Sequence, residues 1–347
     1  MSEKPQGMGE SGGRKPRSSS GKKFRYGGTE KRTLEHNFSN KISEYHEQAK
    51  HRFEKIPLST ALILDPEAPP QSFEFDWPLK PIPLSVESQI AQFVVKRGEY
   101  GWVEDERLEE IAVFVEPSQM SLDQALSLRS ALLQQKTVYS HGRLKSKGKE
   151  LARQYRQGES VLSLSKKYDF PPMNTFRIIL ESMGWSKQKI KVSLREPSKM
   201  NQREQNEFEA CEAADRVTSV DQSETQQIAD QFENELAEWF ESQGVRLRRQ
   251  PEIAAEQMEE HGRPIRTPDI LFLDHVTIHG QPVAWIDAKH FYGADVNFQR
   301  KKTQKQMQRY IDEWGSGAIV FRHGFCENLF IPGVLMLDAG PLQLDSN

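Results

Sequence analysis

Two acids and a lysine near the C-terminal end of this 347-residue sequence could together carry out phosphodiester chemistry. Asp269 follows a proline, and Asp287 stands eighteen residues later, two positions before Lys289. Two carboxylates and a backbone carbonyl, here that of Ala288, are the hard oxygen ligands that Mg²⁺ prefers. Such an ion lowers the pKa of a bound water, and a lysine adds a compact charge with three donors. The residues therefore predict hydrolysis that depends on Mg²⁺ or Mn²⁺.

The specificity of this signal comes from order and context, because an isolated acid-x-Lys triplet is common by chance. The sequence holds one such triplet and one Pro-Asp pair, and they follow each other on adjacent predicted strands. The alternative interpretation is a hairpin that carries an ordinary Asp–Lys surface pair. We favour the catalytic interpretation.

Two predicted strands must position these side chains. Residues 266–273 (RTPDILFL) and 282–291 (PVAWIDAKHF) are apolar and are joined through Gly280, a pattern typical of a hairpin. Side chains alternate faces along a strand, so Asp287 and Lys289 share one face. Asp269, at the start of the first strand, can meet Asp287 across the sheet.

Predicted helices flank the hairpin on both sides. The amphipathic helix 224–243 offers Glu233 and Glu235, either of which could be a further metal ligand or a solvated acid. The helix that follows the hairpin places Gln306 and Tyr310 four residues apart, on one face. Those two could touch substrate, order the lysine or be plain surface residues. The order of elements predicts an α/β core on a mixed sheet flanked by helices.

A basic segment upstream, 144–185, has the pattern of a helix-turn-helix: three short helices with tight turns, in which Ser160 caps the second helix and Asn174 or Thr175 begins the third. Residues 141–195 hold thirteen Lys and Arg against four acids. Cations neutralise phosphates, so the unit is predicted to contact nucleic acid without reading bases; the alternative is that its helices only pack. The candidate contacts are Lys166, Lys167, Arg177, Lys187 and Lys189.

Composition and charge predict three regions. Residues 1–80 form a basic tail and a proline-rich linker, residues 81–200 a helical region with the helix-turn-helix, and residues 201–347 the candidate nuclease domain. No apolar run reaches the ~18 residues that span a bilayer, so no membrane association is expected. Two cysteines are too few for a disulfide framework, which favours a reducing compartment.

These motifs resemble the codanin-interacting nuclease family, a eukaryotic branch of the PD-(D/E)xK superfamily named for its Thr-Pro-Asp motif. The resemblance covers residues 145–340 and is carried by Thr267-Pro268-Asp269, by the segment Trp285 to Lys289 and by the Gln306-xxx-Tyr310 pair. The family commonly has Glu where this chain has Asp287. Its first-helix Glu corresponds in spacing to Glu233.

The resemblance implies a restriction-endonuclease-like mixed sheet behind an all-α helix-turn-helix region, and a metal-dependent nuclease acting on DNA, including branched or junction structures. It also implies a nuclear or nucleocytoplasmic location and a codanin-like protein partner. Archaeal Holliday-junction resolvases belong to the same superfamily, and a homodimer would suit a junction with two cut sites. Two alternatives stay open: a nuclease-fold adaptor that binds a partner without cutting, and an RNA-processing nuclease.

Overall fold

The computed structural model describes residues 68–101, 103–215 and 222–342. The predicted basic tail lies outside this part of the chain, as do the first residues of the predicted proline-rich linker. The first seven helices lie between residues 84 and 195: α1 Leu84–Val94, α2 Asp105–Val115, α3 Leu122–Ser146, α4 Gly148–Arg156, α5 Val161–Tyr168, α6 Pro172–Ser182 and α7 Lys187–Arg195. The remaining helices are α8 Gln202–Ala214, α9 Gln222–Ser242, α10 Gln250–His261 and α11 Asn297–Trp314.

A six-stranded mixed sheet forms the centre of the molecule, which confirms the predicted α/β class with helices around a mixed sheet. Its strands are β1 Ser72–Phe75, β2 Leu247–Arg249, β3 Ile270–Ile278, β4 Gln281–Lys289, β5 Gly317–Phe321 and β6 Val334–Asp338. The spatial order is β1-β3-β4-β5-β6, with β2 paired antiparallel to β3 beyond the end of β1. Strand β4 is antiparallel to β3 and parallel to β5, so it lies between two paired neighbours.

The predicted hairpin is confirmed as β3 and β4. His279 and Gly280 connect the two strands with backbone φ angles of 52° and 68°. Two consecutive left-handed residues are characteristic of the tight turn whose twist matches that of a hairpin. Glycine adopts this geometry without steric cost, which is why the turn falls there.

The proline-rich segment differs from the linker that its composition predicts, because Ser72–Phe75 joins the sheet as an edge strand. Asp274 on β3 is buried and accepts hydrogen bonds from the backbone N–H groups of Gln71 and Arg246, and from the Arg246 guanidinium. These bonds lower the pKa of Asp274 despite its burial. One carboxylate therefore fixes both segments that pair along this edge of β3.

Each face of the sheet carries its own apolar core. On one face α9 packs Phe232, Leu236 and Phe240 against Ile286 and its neighbours. Ile228, which the helical periodicity of residues 224–243 predicts on the apolar side, is 40% exposed.

On the other face, α1, α2 and α3 form a single core with the sheet and α11. Leu128 on α3 and Ile90 on α1 belong to the same cluster as Trp285, Tyr292 and Tyr310. Tyr292 OH donates to Glu87 Oε2 at 2.8 Å, and its backbone N–H donates to Ser127. The helical region 81–200 therefore contributes directly to the core beneath the β4 strand.

The three-helix pattern predicted for 144–185 is confirmed as α4, α5 and α6. Ser160 caps α5 by accepting from the backbone N–H of Ser163, as expected. Helix α6 begins at Pro172, not at Asn174 or Thr175, because proline fits the first helical position, where its missing N–H costs nothing. Helix α8 packs into this same core through Phe208 and Cys211.

Candidate active site

Asp269 lies immediately before β3, whose first residue, Ile270, pairs with Ile286 on β4. Its Oδ2 accepts a hydrogen bond from the backbone N–H of Ala288 at 2.7 Å. The N–H and C=O of one strand residue point towards the same neighbouring strand. The carbonyl of Ala288 therefore also faces Asp269. The two groups predicted to act together lie on one side of β4.

Asp287 and Lys289 share one face of β4, and Asp287 is 1% exposed. Asp287 Oδ2 forms an ion pair with Lys289 Nζ but accepts no hydrogen bond of normal geometry. Asp287 Oδ1 accepts from Gln306 Nε2 at 3.1 Å. The Lys289 side chain is 19% exposed, so its ammonium is open to solvent on one side.

Gln306 and Tyr310 connect the second acid to the Thr-Pro-Asp turn. Gln306 Nε2 lies 3.3 Å from Tyr310 OH, and that hydroxyl donates to the carbonyl of Thr267 at 3.1 Å. Burial raises the pKa of Tyr310 to about 12, so it is a neutral donor at physiological pH. Helix α11 thereby spans the two acidic strands with a short hydrogen-bonded chain.

Burial dominates the electrostatics of the three central groups. Burial, and then repulsion from Asp287, raises the pKa of Asp269 well above its usual range. Burial alone would lower the pKa of Lys289, but attraction from Asp287 and Asp269 outweighs it, and the pKa is raised. Lys289 therefore stays protonated, and Asp269 resists ionisation beside Asp287.

Glu233 reaches this cluster from α9, which packs on the opposite face of the sheet. Burial, and then repulsion from Asp230, raises the pKa of Glu233 to about 7. The charges of Lys289 and Asp287 also act on it. Glu235 instead accepts a hydrogen bond from Gln231 within its own helix at 2.7 Å. Of the two predicted helix acids, Glu233 is the one electrostatically coupled to the cluster.

The donor set suits a divalent cation. Among the described residues, no group of three or more His, Cys, Asp and Glu side chains forms a ready ligand set. The oxygens present are those of Asp269, Asp287 and the carbonyl of Ala288, with Glu233 nearby. Asp287 Oδ2 is buried without a normal hydrogen bond. Buried carboxylates are stabilised by a counter-ion or a metal, so these residues fit Mg²⁺ or Mn²⁺.

Close packing behind β4 keeps the strand in place. A Cβ at Gly317 on β5 would lie 2.2 Å from the Trp285 indole, so only glycine lets the ring approach this closely. The Trp285 indole N–H donates to the carbonyl of Gly315 at 3.0 Å. The ring also packs edge-on against Tyr310, with 5.2 Å between centroids. Strand β4 is therefore held in place by aromatic rings that pack on the same face of the strand as Asp287.

The predicted nucleic-acid contacts in the helix-turn-helix are exposed cations. Seven of the eleven residues of α6, the helix that a helix-turn-helix would insert into a groove, are buried against neighbouring helices. Lys189 Nζ lies 3.7 Å from the centroid of the Trp185 ring, and Lys167 Nζ donates to Gln154 Oε1 at 2.7 Å. The five are Lys166, Lys167, Arg177, Lys187 and Lys189.

Sequence reasoning missed two neighbours of the candidate site. Gln250, the first residue of α10, donates its backbone N–H to the Asp269 carbonyl at 3.0 Å, and its side chain lies 3.5 Å from Asp269 Oδ1. The segment around it reads as a strand entering a loop, so the helix was not foreseen. Lys302 lies one turn before Gln306 on α11 and faces the same groove as Lys289. Its four-residue spacing from Gln306 is the signal that could have identified it.

No helix within the described residues has both the length and the apolar character that crossing a bilayer requires. Burial raises the pKa of both free cysteine thiols, Cys211 and Cys326, which keeps them in the thiol form.

Comparison with known proteins places these features in context. Residues 200–339 match a family described as a protein of unknown function with a TPD sequence motif. An uncharacterized protein of Acanthamoeba polyphaga mimivirus is 30% identical over 120 residues, which are 33% of this chain and 42% of that protein. No solved structure matches the chain.

A second relative carries a functional name. CDAN1-interacting nuclease 1 of Gallus gallus is 27% identical over 95 residues, which are 26% of this chain and 34% of that protein. The chain thus covers less than half the length of either relative. Residues 200–339 of this α/β protein, which contain the Asp269–Asp287–Lys289 cluster, match a TPD-motif family, and the chain is similar over part of its length to a named nuclease.

Proposed function

We propose that the protein is a divalent-metal-dependent nuclease that hydrolyses phosphodiester bonds in nucleic acid, with DNA, including branched structures, as its substrate. The observation that carries the proposal is the meeting of two buried carboxylates, Asp269 and Asp287, with a protonated, partly exposed Lys289. A structural ion pair needs one acid for one lysine. The second acid leaves excess negative charge that a cation would neutralise.

Asp269, Asp287 and the carbonyl of Ala288 would hold Mg²⁺ or Mn²⁺. When bound, the ion supplies an activated water and neutralises charge on the phosphate. Lys289, protonated and partly open to solvent, binds a phosphate oxygen and orients the attacking water. Gln306 holds Asp287 through its amide, and Tyr310 holds the turn that carries Asp269. These are positioning roles, and Glu233 is proposed as an additional ligand.

The test is a cleavage assay on a panel of labelled single-stranded, duplex, flap and junction DNAs plus a structured RNA. We expect cleavage with Mg²⁺ or Mn²⁺, none with EDTA, and little with Ca²⁺, whose looser coordination positions water poorly. Lys289→Ala should abolish cleavage while changing affinity by only a few fold. Asp312→Asn, which alters an exposed acid on α11, is the matched control for Asp287→Asn.

The contrary result would be equal cleavage in EDTA and Mg²⁺, or wild-type rates in both Lys289→Ala and Asp287→Asn. A folded protein that cuts nothing on the panel under any metal would favour the adaptor function. Cleavage of the structured RNA alone would favour the RNA-processing alternative.

A protein partner is a second proposal, because the Gallus gallus relative is named for its interaction with CDAN1. We propose that this chain binds a codanin-like protein in the nucleus or cytoplasm, and that it can form a homodimer. Co-purification with a tagged codanin-like protein from the same organism tests the first point. Sedimentation velocity tests the second. A monomer without detectable binding would contradict both.

A further inference from the structure

A groove of about 720 Å³ opens directly beside the candidate active site and runs between α3 and α11. Lys289 and Gln306, next to Asp287, line it. Pro171 and Asn174, from the helix-turn-helix unit, line it as well. Any chain that occupies the groove therefore passes the proposed reaction centre.

The walls of the groove are mainly apolar, with hydroxyl and amide groups among them, and the charged residues that line it are Lys289, Lys302 and Asp215. Lys302, which is exposed, is the cation that α11 contributes to the lining, and it shares a helix face with Gln306. Hydroxyl and amide groups of this kind bond phosphate and sugar oxygens without reading bases. They are Ser127, Ser130, Gln134 and Thr137 on α3, and Gln299 and Thr303 on α11.

An aromatic ring stands beside the catalytic lysine. Phe291 is two residues after Lys289, lines the same groove and is only half-buried. Its ring centroid lies 6.1 Å from that of Phe321, which fixes the ring on one side. Aromatic rings that flank a backbone-binding groove stack unpaired bases in single-strand-binding proteins.

The groove is small against a double helix. Helices α3 and α11 pack together beyond it: the backbone N–H of Phe298 donates to Gln135 at 2.9 Å, and Tyr139 packs edge-on against Phe298. Axes of packed helices lie about 8–10 Å apart. A B-DNA duplex is wider than its major groove, which by itself measures about 12 Å. A space of this volume is comparable to a small-ligand pocket of ~300–1,000 Å³, enough for one or two nucleotides.

We infer that the groove between α3 and α11 takes one or two unpaired nucleotides, so that the substrate enters as a single strand or as the unpaired segment of a branched structure. Phe291 stacks a base next to the scissile phosphate, and Lys302 contacts a neighbouring phosphate. The inference rests on the proposed nuclease function and narrows its substrate class. DNA and RNA single strands both present the phosphates and unpaired bases that the groove would recognise.

Binding without metal tests the inference separately from cleavage. Fluorescence anisotropy in EDTA would measure the affinity of the protein for a twelve-residue oligothymidylate, for the matching oligouridylate and for a blunt duplex of equal length. We expect the single strands to bind at least about tenfold more tightly than the duplex. Phe291→Leu should weaken single-strand binding about tenfold, because base stacking on the ring is lost. Lys302→Ala should weaken it a few fold and reduce the salt slope by ~0.7.

Lys305→Ala is the matched control, since Lys305 is exposed on α11 but does not line the groove. It should leave the preference for single strands unchanged. Circular dichroism and thermal unfolding would show that each variant is folded, and Lys302→Ala tests the groove even if Phe291→Leu is unstable. The relative affinity for the two oligonucleotides shows whether the groove prefers a DNA or an RNA strand.

The inference is overturned if the duplex binds as tightly as the single strands, or if Lys302→Ala behaves as Lys305→Ala does. Metal-dependent cleavage of all substrates at one rate would leave the proposed function in place and remove the inference. The expected binding pattern without any cleavage would support the inference about the groove and remove the proposed nuclease function.

Discussion

Asp269 and Asp287 show the chemistry of the candidate site at the scale of single residues. Both carboxylates are buried, and the fixed donors close to them are the Ala288 N–H, the Gln306 amide and the Lys289 ammonium. Burying like charges together is unfavourable. Burial, and then this repulsion from Asp287, raises the pKa of Asp269. A cation would relieve the repulsion, which is why the cluster is more typical of a metal site than of a stabilising ion pair.

Glu233 and Glu235 provide a matched pair for testing the third acid. Glu233→Gln should lower cleavage by at least ~100-fold, a loss of about 2.7 kcal/mol of transition-state stabilisation. Its charge is coupled to Lys289 and Asp287. Glu235→Gln should cost less than tenfold, because Glu235 bonds within α9. Single-turnover rates at saturating Mg²⁺, with both variants shown to be folded, measure this. The opposite ranking would reassign the ligand and leave the Asp269–Asp287–Lys289 cluster standing.

Stability should depend on pH through the same acids when metal is absent. The pKa of Glu233 rises from 4.5 to about 7, so the folded state holds the proton more tightly than the unfolded state. The resulting stabilisation is fully present below pH 4.5 and is lost as pH rises through 7. Between pH 5 and 8, we expect the free energy of unfolding of Glu233→Gln to fall by about 1 kcal/mol less than that of the wild type, after allowance for solvent screening.

Urea unfolding in EDTA at several pH values, for the wild type and Glu233→Gln, provides the measurement. Added Mg²⁺ should stabilise the wild type most at pH 8, where the carboxylates are ionised. Parallel pH profiles for the two proteins would show that Glu233 titrates normally.

At the scale of elements, the helix-turn-helix unit has the right helices but an unusual exposure. Helix α6 is surrounded by helices that include α4, α5 and α8, and Arg177 is its one fully exposed cation. A helix buried in this way has little surface to insert into a DNA groove. The unit is therefore better suited to contacting phosphates than to reading bases.

Removing charge from this unit should separate binding from cutting. Replacing Lys166, Lys167 and Arg177 by alanine should weaken the binding of all sequences alike. The slope of log affinity against log salt concentration should fall by about one for each phosphate contact that is lost. Lys149→Ala, an exposed cation on α4, serves as the control. Electrophoretic mobility shifts at 50–200 mM salt measure the slope. Unchanged affinity in the triple variant would assign the unit to packing or to a protein partner.

At the scale of the whole molecule, the helices before residue 146 and the sheet depend on each other. Trp285 and Tyr310 belong to a core that α1 and α3 complete. Glu87 is fully buried, and the Tyr292 hydroxyl and the Asp295 backbone N–H both donate to it. Removing those helices would expose the aromatic layer that supports β4.

A fragment of residues 201–347 should therefore fail to fold cooperatively, although composition predicts a domain there. We expect it to bind a hydrophobic dye and to lack a sharp thermal transition, because the aromatic face of the sheet would be exposed. Residues 68–342 should unfold cooperatively, as a control that keeps α1 to α3. Cooperative unfolding of the short fragment, with its dye binding at the level of the longer protein, would contradict this expectation.

Several features of the fold were predictable because they depend on neighbouring residues. The β3–β4 hairpin follows from alternation and a glycine turn, and Ser121 and Ser160 mark helix starts through their capping hydroxyls. Strands β1 and β6 were not foreseen. Residues 72–75 pair with residues 275–278, two hundred positions away, and nothing in a proline-rich segment signals such a partner.

The sequence by itself determined the catalytic candidates, since the spacing of Asp269, Asp287 and Lys289 along two strands fixes which side chains can share a face. Only the tertiary structure decided what surrounds them. The coupling of Glu233, the approach of Gln250 to Asp269 and the groove between α3 and α11 depend on packing between elements far apart in the chain. Local periodicity carries the direction of a side chain, but the partner it meets is set by how helices and sheet pack.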